Sequence, residues 1–225
     1  MKQFVFDGES PAAQQPPRDS SCRPAPQKQA AGLVYSLLAL TPAASVRFRA
    51  PSERTVRGWY AKTPPGFVFA AKFPQAITHD KLLADCEAEV GEFLAAMDLL
   101  GEKLGPLLIQ FPWFPDTAFL ELDVFLARLL PFLDRIPKGY LFAVEIRNKA
   151  WLVPRLADAL RERGVALALI DQSWMPRPAE WFEHFDPITA DFTYIRRVGD
   201  RKGIERLTKT WAERFSTATS RYRNG

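Results

Sequence analysis

Along 141–148 (Leu-Phe-Ala-Val-Glu-Ile-Arg-Asn) an apolar run of strand length ends in charge. Side chains alternate faces along a strand, so Phe142, Val144 and Ile146 share one face and Ala143, Glu145 and Arg147 the other. The same phase recurs at 67–73, where Lys72 is the last residue of the Val68/Ala70 face before Pro74. It recurs again at 107–111, where Gln110 follows Leu108 on the face opposite Leu107, Ile109 and Phe111. The run 165–171 predicts a strand closing on Asp171, and 191–198 one with Phe192, Tyr194 and Arg196 on a common face. Between these strands the apolar period lengthens to three and four. Leu83, Cys86, Val90, Phe93, Met97 and Leu100 predict a long helix over about 80–101, with His79 at its start. Leu122, Phe125, Leu126 and Leu129 predict a helix over 117–130 that Pro131 helps to stop. Pro154 opens a further helix with Leu156 and Leu160 inward and Gly164 as its C′ residue.

The flanks are plainer. Ser52 reads as the N-cap of a short helix with Val56, Trp59 and Tyr60 inward. The run 31–40 is apolar without a period, a short helix or a buried strand, and 45–49 alternates weakly as a strand would. Ile204, Leu207, Trp211 and Phe215 predict a last amphipathic helix. Residues 1–30, with Pro11, Pro16, Pro17, Pro24 and Pro26, have a composition that buries little and predict a disordered segment ahead of a domain over 31–225.

Strand and helix alternating in units of roughly 25 to 35 residues predict an α/β fold with a parallel sheet. Strands greasy on the outer face, with charge only where the inner face ends, suit a TIM-type (β/α) barrel and its C-terminal mouth. Composition removes several function classes. No apolar run reaches a membrane-spanning length and no extended apolar stretch follows Met1, so a cytoplasmic protein without membrane contact is expected. Two Cys, Cys22 and Cys86, make no disulfide framework, and two His, His79 and His184, with no Cys pair at ligand spacing, predict no zinc site. P-loop, dinucleotide-binding and nucleophile-elbow signatures are absent, and the sequence leaves the cofactor unknown. A net charge of +4 fits an anionic ligand and supports nucleic-acid binding only weakly.

The candidate site follows from the strand ends. Lys72, Gln110, Glu145 with Arg147, Asp171 and Arg196 all close strands, and parallel α/β folds build sites there. Lys72, Arg147 and Arg196 would hold an anion, Arg through two parallel donors. Glu145 beside Arg147 reads either as a permanent carboxylate or, in a drier mouth, as an acid/base group, with Lys72 the second catalytic candidate. Glu145 and Asp171 alone are thin support for a magnesium-like ion. His79 reads as a cap, a surface residue or a base one short loop beyond Lys72. Trp113, Trp151 and Trp174 follow strand ends, where packing is the default and a stacking platform for a base or sugar the sharper alternative.

These segments together resemble the YecE-like family, the domain of unknown function seventy-two. The resemblance rests on Pro51-Ser52-Glu53 through Trp59, Thr63-Pro64-Pro65-Gly66-Phe67 through Lys72 to Ile77-Thr78-His79, and Leu104-Gly105-Pro106 through Gln110-Phe111-Pro112. Phe142-Ala143-Val144-Glu145-Ile146-Arg147 with Trp151, and Thr189-Ala190-Asp191-Phe192 through Arg196, complete it. It spans roughly 49–211 and implies a TIM-like barrel with no established reaction, and it adds weight to Lys72, Gln110, Glu145 and Arg147. The family's opening Gly-Thr-Ser-Gly-Trp-Ser-like strand, most of its second strand and its late aromatic, Asn-rich strand have no counterpart. Residues 1–45 accordingly read as foreign sequence, and the barrel as truncated at both ends, with about six of eight strands. Three functions remain open at this level. They are an enzyme acting on an anionic small molecule or nucleotide, with Glu145 and Lys72 catalytic and Gln110, Arg147, Asp171, Arg196, His79 and Trp151 binding; a single-stranded nucleic-acid module; or a truncated product without independent function.

Overall fold

The computed structural model describes residues 50–114 and 121–199, with the backbone alone of Leu37–Leu38 and of Val198 and Gly199. The expectations for 1–30, 45–49, the start of the helix at 117 and the helix after 200 lie outside the described residues.

Strands and helices alternate, and every strand pair is parallel. β1 (Leu37–Leu38), β2 (Phe69–Lys72), β3 (Leu104–Gln110), β4 (Phe142–Glu145) and β5 (Ala166–Leu167) form one sheet in chain order. β6 (Leu169–Gln172) pairs with β7 (Ile195–Gly199). Parallel neighbours need a crossover, and α1 (Glu53–Lys62), α2 (Glu87–Asp98), α3 (Leu122–Arg135) and α4 (Pro154–Arg161) supply them. The strand expected at 165–171 is divided at Ala168. Its amide donates to Val144 O at 2.9 Å, and the next amide, Leu169, donates to Tyr194 O at 2.8 Å. Successive amides of extended chain point to opposite sides, so one run pairs first with β4 and then, on its other side, with β7. Thr189 closes the base of this run: its hydroxyl donates to Val165 O at 2.6 Å and accepts from Leu167 N at 2.7 Å.

The outer face carries the core. Phe73 packs on Phe93 of α2 with ring centres 4.7 Å apart, and lies 6.4 Å from Phe132 of α3 and 6.2 Å from Phe142. Val90, Phe93 and Met97, then Phe125, Leu126 and Leu129, then Leu156 and Leu160 are all buried, as their spacing predicts. Ser52 caps α1, accepting from Thr55 N at 3.3 Å. Gly164, at φ +63°, closes α4. Its amide donates to Arg161 O and that of Val165 to Leu160 O, the paired bonds of a Schellman turn.

Four local expectations are corrected. Tyr60 does not point inward: it is 38% exposed, its hydroxyl donates to Glu102 at 2.8 Å, and buried Lys103 lies over its ring. The Lys103 ammonium instead caps the end of α1, donating to Tyr60 O, Thr63 O and Thr63 Oγ1. The helix expected over 80–101 starts only at Glu87. Before it come a π-helical turn, Ala76–Asp80, and an irregular segment with Leu82, Leu83 and Asp85 at φ of 48°, 67° and 45°. Leu83 and Cys86 are buried from that segment, so their spacing imitates a helix the backbone does not make. His79 therefore sits in the π-helical turn, not at the helix start. Pro131 does not stop α3 but lies inside it, where it removes one bond of the ladder while Phe132 and Leu133 stay buried beyond it.

β2 and β3 approach closely where their register shifts between Phe69 and Ala71. A methyl at Gly105 would lie 2.9 Å from Phe69 O and collide with Val68 Cγ1. Gly105→Ala should therefore lower stability by about 1–3 kcal/mol, the usual cost of overpacking, read as a lower urea midpoint at unchanged slope.

Candidate functional site at the strand ends

Strand register decides which polar side chains meet. Lys72 pairs with Leu108 and Gln110 with Glu145, so Lys72, Gln110 and Glu145 share the inner face. Counting on from the Ala143–Ala166 pair puts Ala166, Ala168, Ile170 and Gln172 on that face too. The Ile170–Arg196 pair then adds Arg196 and Tyr194. Asp171 falls on the opposite face. It ion-pairs there with Arg197 at 3.9 Å, so the inner position predicted for it is corrected. Gln172, next in the chain and 5% exposed, holds the inner position instead. The alternation of Ala166, Ala168 and Ile170 carried that signal, but its phase is fixed only by pairing with β4.

Glu145 is fully buried. Arg196 Nη1 donates to its two oxygens at 2.9 and 2.7 Å and to Gln110 Oε1 at 3.4 Å, bridging 51 and 86 residues of chain. Arg147 Nε donates to Glu145 Oε1 at 3.4 Å. A carboxylate taken wholly from water needs such charge-assisted partners. With both oxygens engaged by guanidinium donors, Glu145 is built as an anchor. Arg147 spends only Nε on it, and its two terminal nitrogens make no hydrogen bond among the described residues. The Asn148 side chain clamps the loop after β3, with Oδ1 and Nδ2 each 2.9 Å from the backbone of Phe114.

His79 reaches the same end of the sheet from the turn after β2. Partial burial is the main reason its imidazole is held down at about 4, and the positive charges of Lys72 and Arg147 push the same way against Asp80. Its Nδ1 lies 2.8 Å from Thr78 Oγ1, and that hydroxyl donates to Pro74 O at 3.4 Å. That contact engages Nδ1, so Nε2 is the ring nitrogen without a hydrogen bond among the described residues, an acceptor or a donor according to the tautomer.

The tryptophans divide. Trp151 is 5% exposed and stacks on Phe125 with ring centres 4.7 Å apart, with Phe114 at 5.9 Å. The structure puts it in the core, and the binding position expected of it is corrected. Trp113 and Trp174, just beyond β3 and β6, are 59% and 56% exposed. Among the described residues no three His, Cys, Asp or Glu side chains gather as metal ligands. Cys86 is a buried thiol whose ionisation burial pushes up. No helix among the described residues is long and apolar enough to cross a membrane.

Comparison with known proteins adds a family and no activity. The chain is 30% identical over 126 residues to the UPF0759 protein YecE of Escherichia coli K12, and equally to that of strain O157:H7. These matches take in 54% of this chain and 44% of the relative, so the chain spans under half the length of the curated relatives it matches. A crystal structure of a DUF72 family protein from Enterococcus faecalis V583 aligns over 72% of each chain, at 20% identity and a TM-score of 0.49. The family model described as "Protein of unknown function DUF72" matches residues 45–224, and the chain belongs to that family.

Proposed function

We propose that the strand-end rim binds an anionic small molecule and that the chain is the core of an enzyme acting on it. The observation that carries this reading is Arg147, held to Glu145 through Nε, whose two terminal nitrogens make no hydrogen bond among the described residues. Held this way, a guanidinium presents the planar fork that carboxylates and phosphates match. Lys72 adds charge beside it, and a neutral His79 offers Nε2 for hydrogen bonding or proton transfer. Glu145, Arg196 and Gln110 hold the platform rigid, so Glu145 positions the site and His79 takes the proton-transfer role considered for Glu145. The reading takes the parallel strands as part of a (β/α)-barrel wall in a cytoplasmic protein. The passage of pairing from β4 to β7 at Ala168 supports the barrel.

A second reading is favoured by the exposed rings of Trp113 and Trp174: a groove for single-stranded nucleic acid, stacking bases beside the cations. Affinity for an oligonucleotide that falls steeply with salt and grows with its length would select that reading. Tight binding of a mononucleotide or simple anion with little gain from length would select the first.

Three outcomes check the enzyme reading. With two His in the chain, a His184→Gln protein has one imidazole to follow by NMR. His79 should titrate near 4, and saturating sulfate should move its midpoint upward by offsetting Lys72 and Arg147; an unmoved midpoint would sink the site. Arg147→Ala should weaken sulfate or phosphate binding roughly tenfold or more in calorimetric titration, the worth of hydrogen bonds to a charged group. The pH dependence of stability follows from the lowered value. A folded-state value of about 4 against 6.5 in the unfolded chain means the contribution of neutral His79 is full above 6.5 and is lost as pH falls toward 4. Urea midpoints of His79→Gln should accordingly fall less than those of the parent chain across that window.

A further inference from the structure

Three buried side-chain polar atoms lack a hydrogen-bond partner among the described residues, and two of them belong to this rim: Arg196 Nε and Gln172 Oε1. The third, Glu89 Oε2, lies on α2, where the other carboxylate oxygen of Glu89 meets Lys81. Unmet polar atoms are rare in folded proteins because desolvating them without a partner is costly. Here a donor and an acceptor are both unmet on adjoining strands. Gln172 stands two residues beyond Ile170, the register partner of Arg196, so both side chains project from the inner face near the ends of β6 and β7. Gln172 is 5% exposed and Arg196 is held by Glu145 and Gln110, which leaves neither free to turn to solvent.

The chemistry of the pair narrows what fits. Arg196 Nε needs an acceptor and Gln172 Oε1 needs a donor. A phosphate or carboxylate oxygen answers the first and repels the second. A hydroxyl answers both, since it donates one proton and accepts through its lone pairs. We propose that the rim's ligand carries a hydroxyl seated between Arg196 Nε and Gln172 Oε1, besides the anionic group held by Arg147. The substrate class is thus a polyol or sugar that carries a phosphate or carboxylate group, which the guanidinium fork of Arg147 matches alike. This inference rests on the anion reading and adds the neutral half of the ligand to it.

The test compares two phosphate monoesters of equal charge and similar size, glycerol 1-phosphate with free hydroxyls and propyl phosphate without. The chain is observed at the His79 ring and at the side-chain Nε–H of Arg196, assigned by its disappearance in Arg196→Lys. Both esters should move His79. Glycerol phosphate alone should move the Arg196 Nε–H and slow its exchange with water, and it should bind at least tenfold tighter than propyl phosphate. Gln172→Leu, which keeps the volume and removes the acceptor, should erase that preference, bringing the affinities for the two esters together. If both esters move His79 but bind equally and leave the Arg196 Nε–H alike, the pair holds water only and the inference is overturned. If neither ester moves His79, the anion reading itself has failed. Should Gln172→Leu fail to fold, the Arg196 Nε–H response of the unsubstituted chain decides the question by itself.

Discussion

Glu145 is a carboxylate with no exposure at all, set at the end of a strand and held by guanidiniums from two directions. Such a group is tolerable only while its partners stay in place, because removing one leaves a buried charge uncompensated. The Arg196 bond reaches from β7 to β4 over the run that pairs with both. Extending the β4–β5 register places Ala168 level with Glu145, and its small side chain leaves room for the guanidinium to pass. The same bond therefore closes the ion pair and fixes β7 against the rest of the sheet. Small residues low on the inner face (Ala70, Ala143, Ala166) complete the arrangement, keeping bulk to the outer face where the helices pack.

Much of this could be read from the order of residues. Period-two runs named the strands, and the last inner residue of each named Lys72, Gln110, Glu145 and Arg196, because alternation along one strand is a local property. The misjudged positions share a cause of the opposite kind. Whether Asp171 or Gln172 faces inward depends on how the run is phased against β4, a contact made across more than twenty residues of chain. Leu83 and Cys86 are buried by tertiary packing from an irregular segment, and burial alone leaves the same apolar spacing a helix would. Pro131 is tolerated within α3 because apolar residues on both sides of it are buried, which outweighs the lost ladder bond. Trp151 was ambiguous by its nature: an aromatic after a strand end serves packing and stacking equally well, and only the position of Phe125 decides between them.

The hydrogen-bond inventory separates the rim into two levels, and the separation follows from the geometry of arginine. A guanidinium has five donors in a fixed plane, and one carboxylate with one amide cannot engage them all. Arg196 gives Nη1 to its anchors and retains a buried Nε, while Arg147 gives Nε and retains its terminal pair. The two residues thus offer complementary leftovers: one a broad fork suited to charge, the other a single donor beside an amide acceptor suited to a hydroxyl. In the field of Lys72 and Arg147 the neutral imidazole of His79 costs nothing in repulsion while the rim is without an anion. Bringing one in offsets the field of Lys72 and Arg147 and makes the ring easier to protonate. Under the proposed anion reading, charge recognition and proton affinity are linked through the same two cations, Lys72 and Arg147, and a bound anion would prepare His79 to take a proton.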